Sequence, residues 1–147
     1  MQYVLIIESK ANWSADRDVE FSRLGISDRR RRFFEALAEN DLLITYVKAT
    51  GFVDVRAIAA GGVKKLGLKG NYPEGGWPWQ VPTRLVVNLG VENAVSPNLL
   101  SHTKLCAGQW RYRFQQSGRL IDGSDGEAIV AAMTHAAGKL DGTLKTR

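Results

Sequence analysis

The chain has 147 residues, and its 20 Lys and Arg against 15 Asp and Glu give a formal net charge of +5. This length fits one domain, which we place at residues 1–142 with a polar tail at 143–147, and no apolar run approaches the ~18 residues of a membrane span. The single cysteine, Cys106, excludes an intramolecular disulfide and a cysteine-based zinc cluster, while the positive charge suits a polyanionic partner without requiring one.

The N-terminal elements begin with an apolar run. Tyr3–Ile7 is a continuous stretch of β-forming residues, which predicts a central strand buried on both faces. Because no basic, signal-like segment precedes it, we expect a cytoplasmic protein. A polar and irregular stretch follows at Glu8–Gly25, and Ser27 then caps a helix that runs to about Ala38.

The middle of the chain predicts three more strands and a long loop. Leu42–Lys48 and Phe52–Ala59 are joined by a short turn that contains glycine, so they form an antiparallel hairpin. Ala60–Trp79 is rich in glycine, and a loop of this length in a compact domain is usually functional or disordered. Its two tryptophans favour a functional loop. Val81–Val91 predicts the next strand.

The C-terminal third predicts a turn, a strand and a helix. Ser96 and Pro97 open a short helical turn. Trp110–Phe114 alternates aromatic and basic residues, which is typical of a strand with one buried and one cationic face. A capping box at Ser124–Glu127 begins a helix that Gly138 ends. Together, the elements predicted along the chain indicate an α+β fold. Five or six strands form a mixed sheet curled into a small barrel, flanked by two or three helices.

The sequence contains no recognisable catalytic or metal-binding motif. His102 and His135 lack the spacing of a metal pair, so we expect both to be structural or exposed. Cys106 lies beside small residues and is expected to fill apolar space in the core. The glycine-rich stretches lack the spacing of phosphate-binding loops. We therefore expect neither a cofactor nor a metal ion.

Four consecutive arginines, Arg29, Arg30, Arg31 and Arg32, open the predicted first helix, where the helix dipole disfavours cations. Arg30 shares the face of the apolar residues of this helix, so it either snorkels to solvent or lines the edge of a pocket. The others point outward, where they either form a solvated face or contact phosphates, and the basic total favours phosphates.

Three tryptophans lie where packing in a core is less natural. Trp13, Trp77 and Trp79 occupy polar or glycine-rich segments. Aromatic faces beside cationic residues are what base stacking requires. The aromatic residues of Trp110–Phe114 are expected in the core instead.

Six segments, in this order along nearly the whole chain, resemble EVE domains. They are Tyr3–Trp13, Leu24–Arg29, Asp41–Val47, Gly51–Val55, Trp77–Val81 and Gln109–Tyr112. EVE domains share the PUA-like fold and are similar to the YTH readers of methylated adenine in RNA. The resemblance implies a PUA-like curled barrel that binds a modified base in DNA or RNA and does not catalyse a reaction.

The resemblance also implies where the pocket lies, between the first strand, the first helix and the loop before a later strand. Ser9 and Asn12 match positions where such readers place polar groups against the base edge, and Trp13 lies beside them. Ile26 and Ser27 match the segment that closes the opposite wall.

This sequence departs from the EVE pattern in one respect. The tryptophan that many relatives carry just before Gly25 is replaced by Ser22–Leu24. Another aromatic residue must then stack on the base. The candidates are Trp13, Tyr46, Trp77 and Trp79.

The leading hypothesis is a reader of a modified or flipped-out nucleobase. Trp77 or Trp79 stacks on the base, and Ser9 and Asn12 form hydrogen bonds with its edge. The phosphates of the DNA or RNA are held by a basic face. This face comprises Arg29, Arg30, Arg31 and Lys64.

Two alternatives stay open at this point. One is a PUA-like hydrolase of the ASCH type, which would use Glu8 or Lys10 beside Tyr46 on a small nucleoside or amide. The other is an interaction domain whose basic face docks an acidic partner.

Overall fold

The computed structural model describes residues 1–67 and 70–145. The strands in this part of the chain are β1 (Tyr3–Glu8), β2 (Arg23–Ile26), β3 (Leu42–Val47), β4 (Gly51–Ile58), β5 (Lys64–Lys65), β6 (Trp79–Asn88) and β7 (Arg119–Ile121). The α-helices are α1 (Lys10–Asp18), α2 (Arg31–Glu35) and α3 (Gly123–Lys145). Turns of 3₁₀ helix lie at Asp28–Arg30, Pro97–Leu100 and Trp110–Arg113.

The strands form one mixed sheet in the order β2-β6-β4-β3-β1-β7, and the two-residue β5 pairs with the edge of β6 opposite β2. β1 runs parallel to β3 and antiparallel to β7, while β3, β4 and β6 are antiparallel neighbours. The predicted first strand is therefore interior and buried along its whole length, and the predicted hairpin is present.

The long strand β6 curls the sheet. Its second half, from Thr83 to Asn88, pairs with β4, whereas its first half, from Trp79 to Pro82, pairs with β2. A strand shared between two partners in this way bends the sheet on itself. The result is a curled, mixed half-barrel with three helices, which confirms the expected α+β fold class.

The core lies on both faces of β1. Tyr3, Leu5 and Ile7 point to the face covered by α3, whose Ile129 is fully buried there. The alternate residues of β1 point to the other face, where they pack against β2 and α2. That second face continues at its open end into a cleft.

Two N-terminal expectations are wrong. Glu8–Gly25 is not irregular, because it forms α1 and β2. The buried residues of α1 are Asn12, Trp13 and Asp16, so the helix has no apolar stripe that a periodic pattern could reveal. The helix expected from Ser27 to Ala38 is a 3₁₀ turn followed by the five-residue α2.

The Trp110–Phe114 segment forms a 3₁₀ turn instead of the expected strand. Trp110 and Phe114 are buried, but Tyr112 is 62% exposed, because a helical turn rotates it away from the other two. The alternating pattern was therefore not a sign of a strand.

The last helix also differs from expectation at both ends. It begins at Gly123, so Ser124 lies inside it and does not cap it. It passes through Gly138 to Lys145, so the first part of the predicted tail is helical, and residues 146–147 lie outside the described residues. Within the described part of the chain, no helix has the length and apolar character needed to cross a membrane.

Candidate functional site

A cleft opens on one face of the sheet, where the end of β1 meets α1, β2, α2 and the glycine-rich loop before β6. Its cavity volume is about 20 Å³, room for about one water molecule, so a larger ligand would have to widen it. Its inner wall is apolar and is formed by Ile6, Leu24, Ile26 and Phe34. A small apolar cleft with a few polar groups is the usual form of a site for an organic ligand.

The aromatic rings of the cleft have different roles. Tyr72 and Phe34 are each 5% exposed, whereas Trp77 is only half-buried. The rings of Tyr72 and Trp77 meet edge to face, with centroids 5.5 Å apart and planes at 81°. The buried Tyr72 ring therefore supports the Trp77 ring, and Trp77 offers aromatic surface to a ligand.

The side chain of Asn12, which lines the cleft, has one unpartnered polar atom. Asn12 is 7% exposed, and its Oδ1 is buried with no hydrogen-bond partner among the described residues. Ser9 fixes the start of this helix, because its hydroxyl accepts a hydrogen bond from the Asn12 amide at 3.1 Å. An unpaired buried acceptor costs about 1–3 kcal/mol, so a ligand that donates to Asn12 recovers that energy.

A buried ion cluster forms the floor beneath the cleft. The Arg56 guanidinium is fully buried and binds three carboxyls. Its contacts are 2.9 Å to Glu8 Oε1, 2.7 Å to Asp16 Oδ2 and 3.0 Å to Asp54 Oδ1. Arg56 thus ties β1, α1 and β4 together. Of these carboxyls, Glu8 also lines the cleft.

Tyr72 and Trp13 complete the hydrogen bonds of this ion cluster. The Tyr72 hydroxyl donates to Asp16 Oδ1 at 2.7 Å and lies 3.4 Å from Glu8 Oε2. The Trp13 indole donates to Asp54 Oδ2 at 2.9 Å. Each carboxyl therefore has partners besides Arg56, which is what a buried ion cluster requires.

Burial raises the pKa of the Glu8 carboxyl well above its usual range, although the attraction of Arg56 opposes this. The charge of Asp16 and a hydrogen bond between the two carboxyls raise the Glu8 pKa further. Burial, together with the charges of Glu8 and Asp16, also raises the pKa of Tyr72. Glu8 therefore keeps its proton to a higher pH than a free carboxyl does.

Arg30 forms part of the rim. Its Nε donates to the Ser117 carbonyl at 3.0 Å, and its guanidinium lies 5.7 Å from the centroid of the Phe33 ring. The alternative in which Arg30 lines the edge of a pocket is the one that the structure shows. Its charge is positioned to meet an anionic group at the cleft mouth.

Beside the cleft, Trp79 is surrounded by charged side chains. The Arg31 guanidinium lies 4.6 Å from the centroid of the Trp79 ring, and Lys65 Nζ lies 5.8 Å from it. The Trp79 indole donates to Asp28 Oδ1 at 2.5 Å. We call these four residues the rim cluster. Trp79 is not among the residues that line the cleft, and its ring packs against the core and contacts the two cations.

The structure brings five of the sequence-predicted site residues to the cleft. They are Asn12, Ile26, Ser27, Arg30 and Trp77. Arg29 and Lys64 are exposed, and Arg31 belongs to the rim cluster.

Four other predicted residues lie elsewhere. The Ser9 hydroxyl is occupied as the helix cap of α1. Trp13 is 4% exposed and packs on Phe21, because α1 turns it into the core. Tyr46 lies on the opposite face of the sheet, in the cluster with Trp110. Trp79 lies outside the cleft, in the rim cluster.

The constellation suggested for a hydrolase is not assembled. Glu8 is bound to Arg56 in the ion cluster, and Lys10 is exposed at the start of α1. Tyr46 pairs in register with Ile7, and its ring points to the α3 side of the sheet. These three groups therefore do not meet at one site.

The ion cluster at the floor of the cleft was not predicted from the sequence. Tyr72 and Asp16 gave no signal, because each lies in a polar stretch. Asp54 and Arg56 did give one, since opposite charges two residues apart in an apolar strand fall on the same face. That pattern could have predicted a buried ion pair.

The residues considered for metal binding or nucleophilic chemistry are placed as expected. His102 and His135 are exposed, and Cys106 is buried, with burial raising the pKa of its thiol. Within residues 1–67 and 70–145, no group of three or more His, Cys, Asp or Glu could hold a metal ion.

Comparison with known proteins identifies the fold. No protein-family model matches the sequence, and no curated protein matches it. Solved structures do match. The YTH domain of the MRB1 protein of Zygosaccharomyces rouxii, in complex with N6-methyladenosine RNA, has a TM-score of 0.64 at 12% identity, over 90% of this chain and 86% of that one.

Two further structures support the same conclusion. The YTH domain-containing protein mmi1, in complex with RNA, has a TM-score of 0.69 at 10% identity, over 96% of this chain and 86% of that one. A hypothetical protein from Leishmania major has a TM-score of 0.61 at 12% identity, over 92% and 95% of the two chains. At such low identity these similarities establish a YTH-like, PUA-like fold alone.

Proposed function

We propose that this protein is a non-catalytic, EVE-type nucleic-acid-binding domain that takes one modified or flipped-out nucleobase into the cleft. The observation that carries the proposal is the meeting of Trp77 and Asn12 at one open cleft. Trp77 offers a stacking surface, and Asn12 offers a buried acceptor with no partner among the described residues. Solved structures of this fold include YTH domains bound to RNA, which favours RNA as the ligand.

The energetics of base binding fit these two features. Removing a base from its stack costs a few kcal/mol, and the pocket must return more than that. Stacking on an aromatic ring contributes about 1–3 kcal/mol per base. A donor that satisfies Asn12 Oδ1 contributes a similar amount, because it removes an existing penalty.

The rim supplies the contacts for the backbone. Arg30 lines the mouth, and Arg31 and Lys65 are held against Trp79. Cations placed in this way neutralise phosphates and make binding depend on salt. A base enters the cleft while the flanking phosphates lie along the rim cluster.

A cytoplasmic location stays a prediction from the sequence.

The test is a binding screen of the purified protein against short single-stranded RNA and DNA with one modified base at the centre. Trp77→Ala is expected to lose the preference for the best ligand, with about a tenfold or larger loss of affinity. Trp79→Ala is the matched control, because it removes the same side chain outside the cleft. It should lower all affinities alike and keep the preference.

The outcome that contradicts the proposal is equally specific. If Trp77→Ala binds modified and unmodified oligonucleotides as the wild type does, the cleft is not the base site. If the wild type turns over nucleosides, the non-catalytic assignment is wrong.

A further inference from the structure

The polar floor of the cleft presents hydrogen-bond acceptors. Glu8 lies on the same face of β1 as Ile6, and both line the cleft. Asn12 is more than nine-tenths buried, and its Oδ1 has no partner among the described residues. A carboxyl group and an amide oxygen therefore belong to two residues that line one small cleft.

The protons of the Tyr72 hydroxyl and the Glu8 carboxyl are directed away from the cleft. The Tyr72 hydroxyl uses its proton on Asp16 Oδ1, at 2.7 Å, and accepts from the Gly25 amide, at 3.2 Å. The Glu8 carboxyl shares a hydrogen bond with Asp16 and accepts from Arg56 Nη2 at 2.9 Å. When Glu8 is protonated, its proton is bound within the ion cluster, and in either state Glu8 offers a ligand lone pairs.

The charges of the ion cluster also favour a ligand that donates hydrogen bonds. The ion cluster has three carboxyls, those of Glu8, Asp16 and Asp54, against the single guanidinium of Arg56. Among the described residues, the other charged side chain that lines the cleft is Arg30, at the rim. A ligand edge with positive polarity is thus favoured at the floor, and an edge with a lone pair is repelled.

We propose that the cleft selects a base whose Watson–Crick edge presents adjacent N–H donors, as guanine and its derivatives do, with Glu8 and Asn12 as the acceptors. This inference rests on the proposed function and names the ligand class of that site. Guanine offers N1–H and the N2 amino group side by side, whereas adenine places its N1 lone pair against the floor. The O6 acceptor of guanine suits the donors of the rim, such as Arg30.

The experiment uses single-stranded RNA oligonucleotides that differ only at one central base, with affinities measured on the wild type. The bases are guanine, inosine, N1-methylguanine, adenine and N6-methyladenine. Guanine is expected to bind at least about tenfold more tightly than adenine. Inosine lacks the amino group and should be intermediate, and N1-methylguanine lacks the N1–H and should lose most of the preference.

Variants then assign the acceptors. Glu8→Gln keeps an oxygen for Arg56 but places an amide N–H in the carboxyl position, so the preference for guanine over adenine should fall about tenfold. Asn12→Leu removes the second acceptor and should lower guanine affinity. Glu39→Gln makes the same chemical change as Glu8→Gln at an exposed position, and it should leave the preference unchanged. Thermal unfolding verifies that each variant is folded.

The possible failures are distinguishable. If binding depends on Trp77 but favours adenine or N6-methyladenine, the acceptor floor is wrong and the proposed function stands. The same holds if N1-methylguanine binds as well as guanine, a comparison that needs only the wild type. If no oligonucleotide binds in a Trp77-dependent way, the proposed function itself fails.

Discussion

The backbone amide of Gly25 donates a hydrogen bond to the hydroxyl of Tyr72 at 3.2 Å, across the two walls of the cleft. The contact requires a residue without a side chain, because a Cβ on Gly25 would lie 2.6 Å from Tyr72 Cε2. Tyr72 in turn supports the Trp77 ring and bonds the ion cluster. The close approach of β2 to Tyr72 therefore sets the shape of the cleft.

Gly25→Ala is expected to displace Tyr72 and to destabilise the protein by about 1–3 kcal/mol, since the added methyl group overpacks a buried site. Base affinity should fall as well, because Trp77 loses its support. Chemical denaturation and oligonucleotide titration measure the two effects. Gly67→Ala is the control, because a Cβ there has open space, and its cost should stay within about 0.5 kcal/mol. Equal stability of the two variants would contradict the prediction.

Arg56→Met should be among the most damaging substitutions in the chain. It leaves three buried carboxyls without their cation, and breaking a buried ion cluster in this way costs about 3–5 kcal/mol. Denaturant unfolding measures the loss. Arg84→Met is the matched control, because Arg84 is exposed and its guanidinium donates to the neutral side chain of Asn40. A loss at Arg56 no larger than at Arg84 would show that the cluster does not stabilise the fold.

Glu8 should make stability depend on pH in a defined direction. Its pKa is raised by burial, so the folded protein keeps a proton that the unfolded chain releases near pH 4.3. The favourable contribution is complete below that pH and is lost as the pH rises through the folded-state pKa.

Glu8→Gln cannot titrate, so its free energy of unfolding minus that of the wild type should increase with pH above about 4.3. The increase should continue until the pH passes the folded-state pKa, where it levels off. Urea denaturation of both proteins from pH 4 to pH 9 measures this difference. A constant difference would show that the pKa of Glu8 is the same in both states.

The rim cluster should govern the salt dependence of binding and leave base preference alone. Arg31→Gln removes a cation that is held over Trp79, so all oligonucleotides should bind more weakly by a similar factor. The slope of log K against log salt should decrease in magnitude by about 1. Lys104→Gln, on an exposed residue paired with Asp122, serves as the control and should not change the slope. Loss of base preference in Arg31→Gln would place Arg31 in the base site.

Sequence reasoning predicted the parts of the fold in which local pattern and burial agree. β1, β3, β4 and β6 are runs of β-forming residues, and each was expected close to its observed bounds. α1 and β2 were not, because α1 buries polar residues and β2 has only four residues. Their structure depends on partners from distant parts of the chain.

The site shows the same division. Asn12, Ile26 and Trp77 were predicted from the resemblance to a family and from loop composition, and all three line the cleft. Trp13 could not be placed correctly, because its polar neighbours suggested exposure, while its indole is in fact satisfied by Asp54, 41 residues away. A buried hydrogen bond to a distant carboxylate leaves no trace in the local sequence.

The two ends of the glycine-rich loop are joined by hydrogen bonds within the loop. The Asn71 side chain donates to the carbonyls of Trp77 and Trp79, at 3.1 and 2.8 Å. These hydrogen bonds hold together the two ends of the segment from Asn71 to Trp77. Gly75 and Gly76 lie in open space inside this segment. The tip can therefore be lengthened while the ion cluster below keeps its geometry, and under the proposed function such a change would alter the surroundings of the base site without altering its floor.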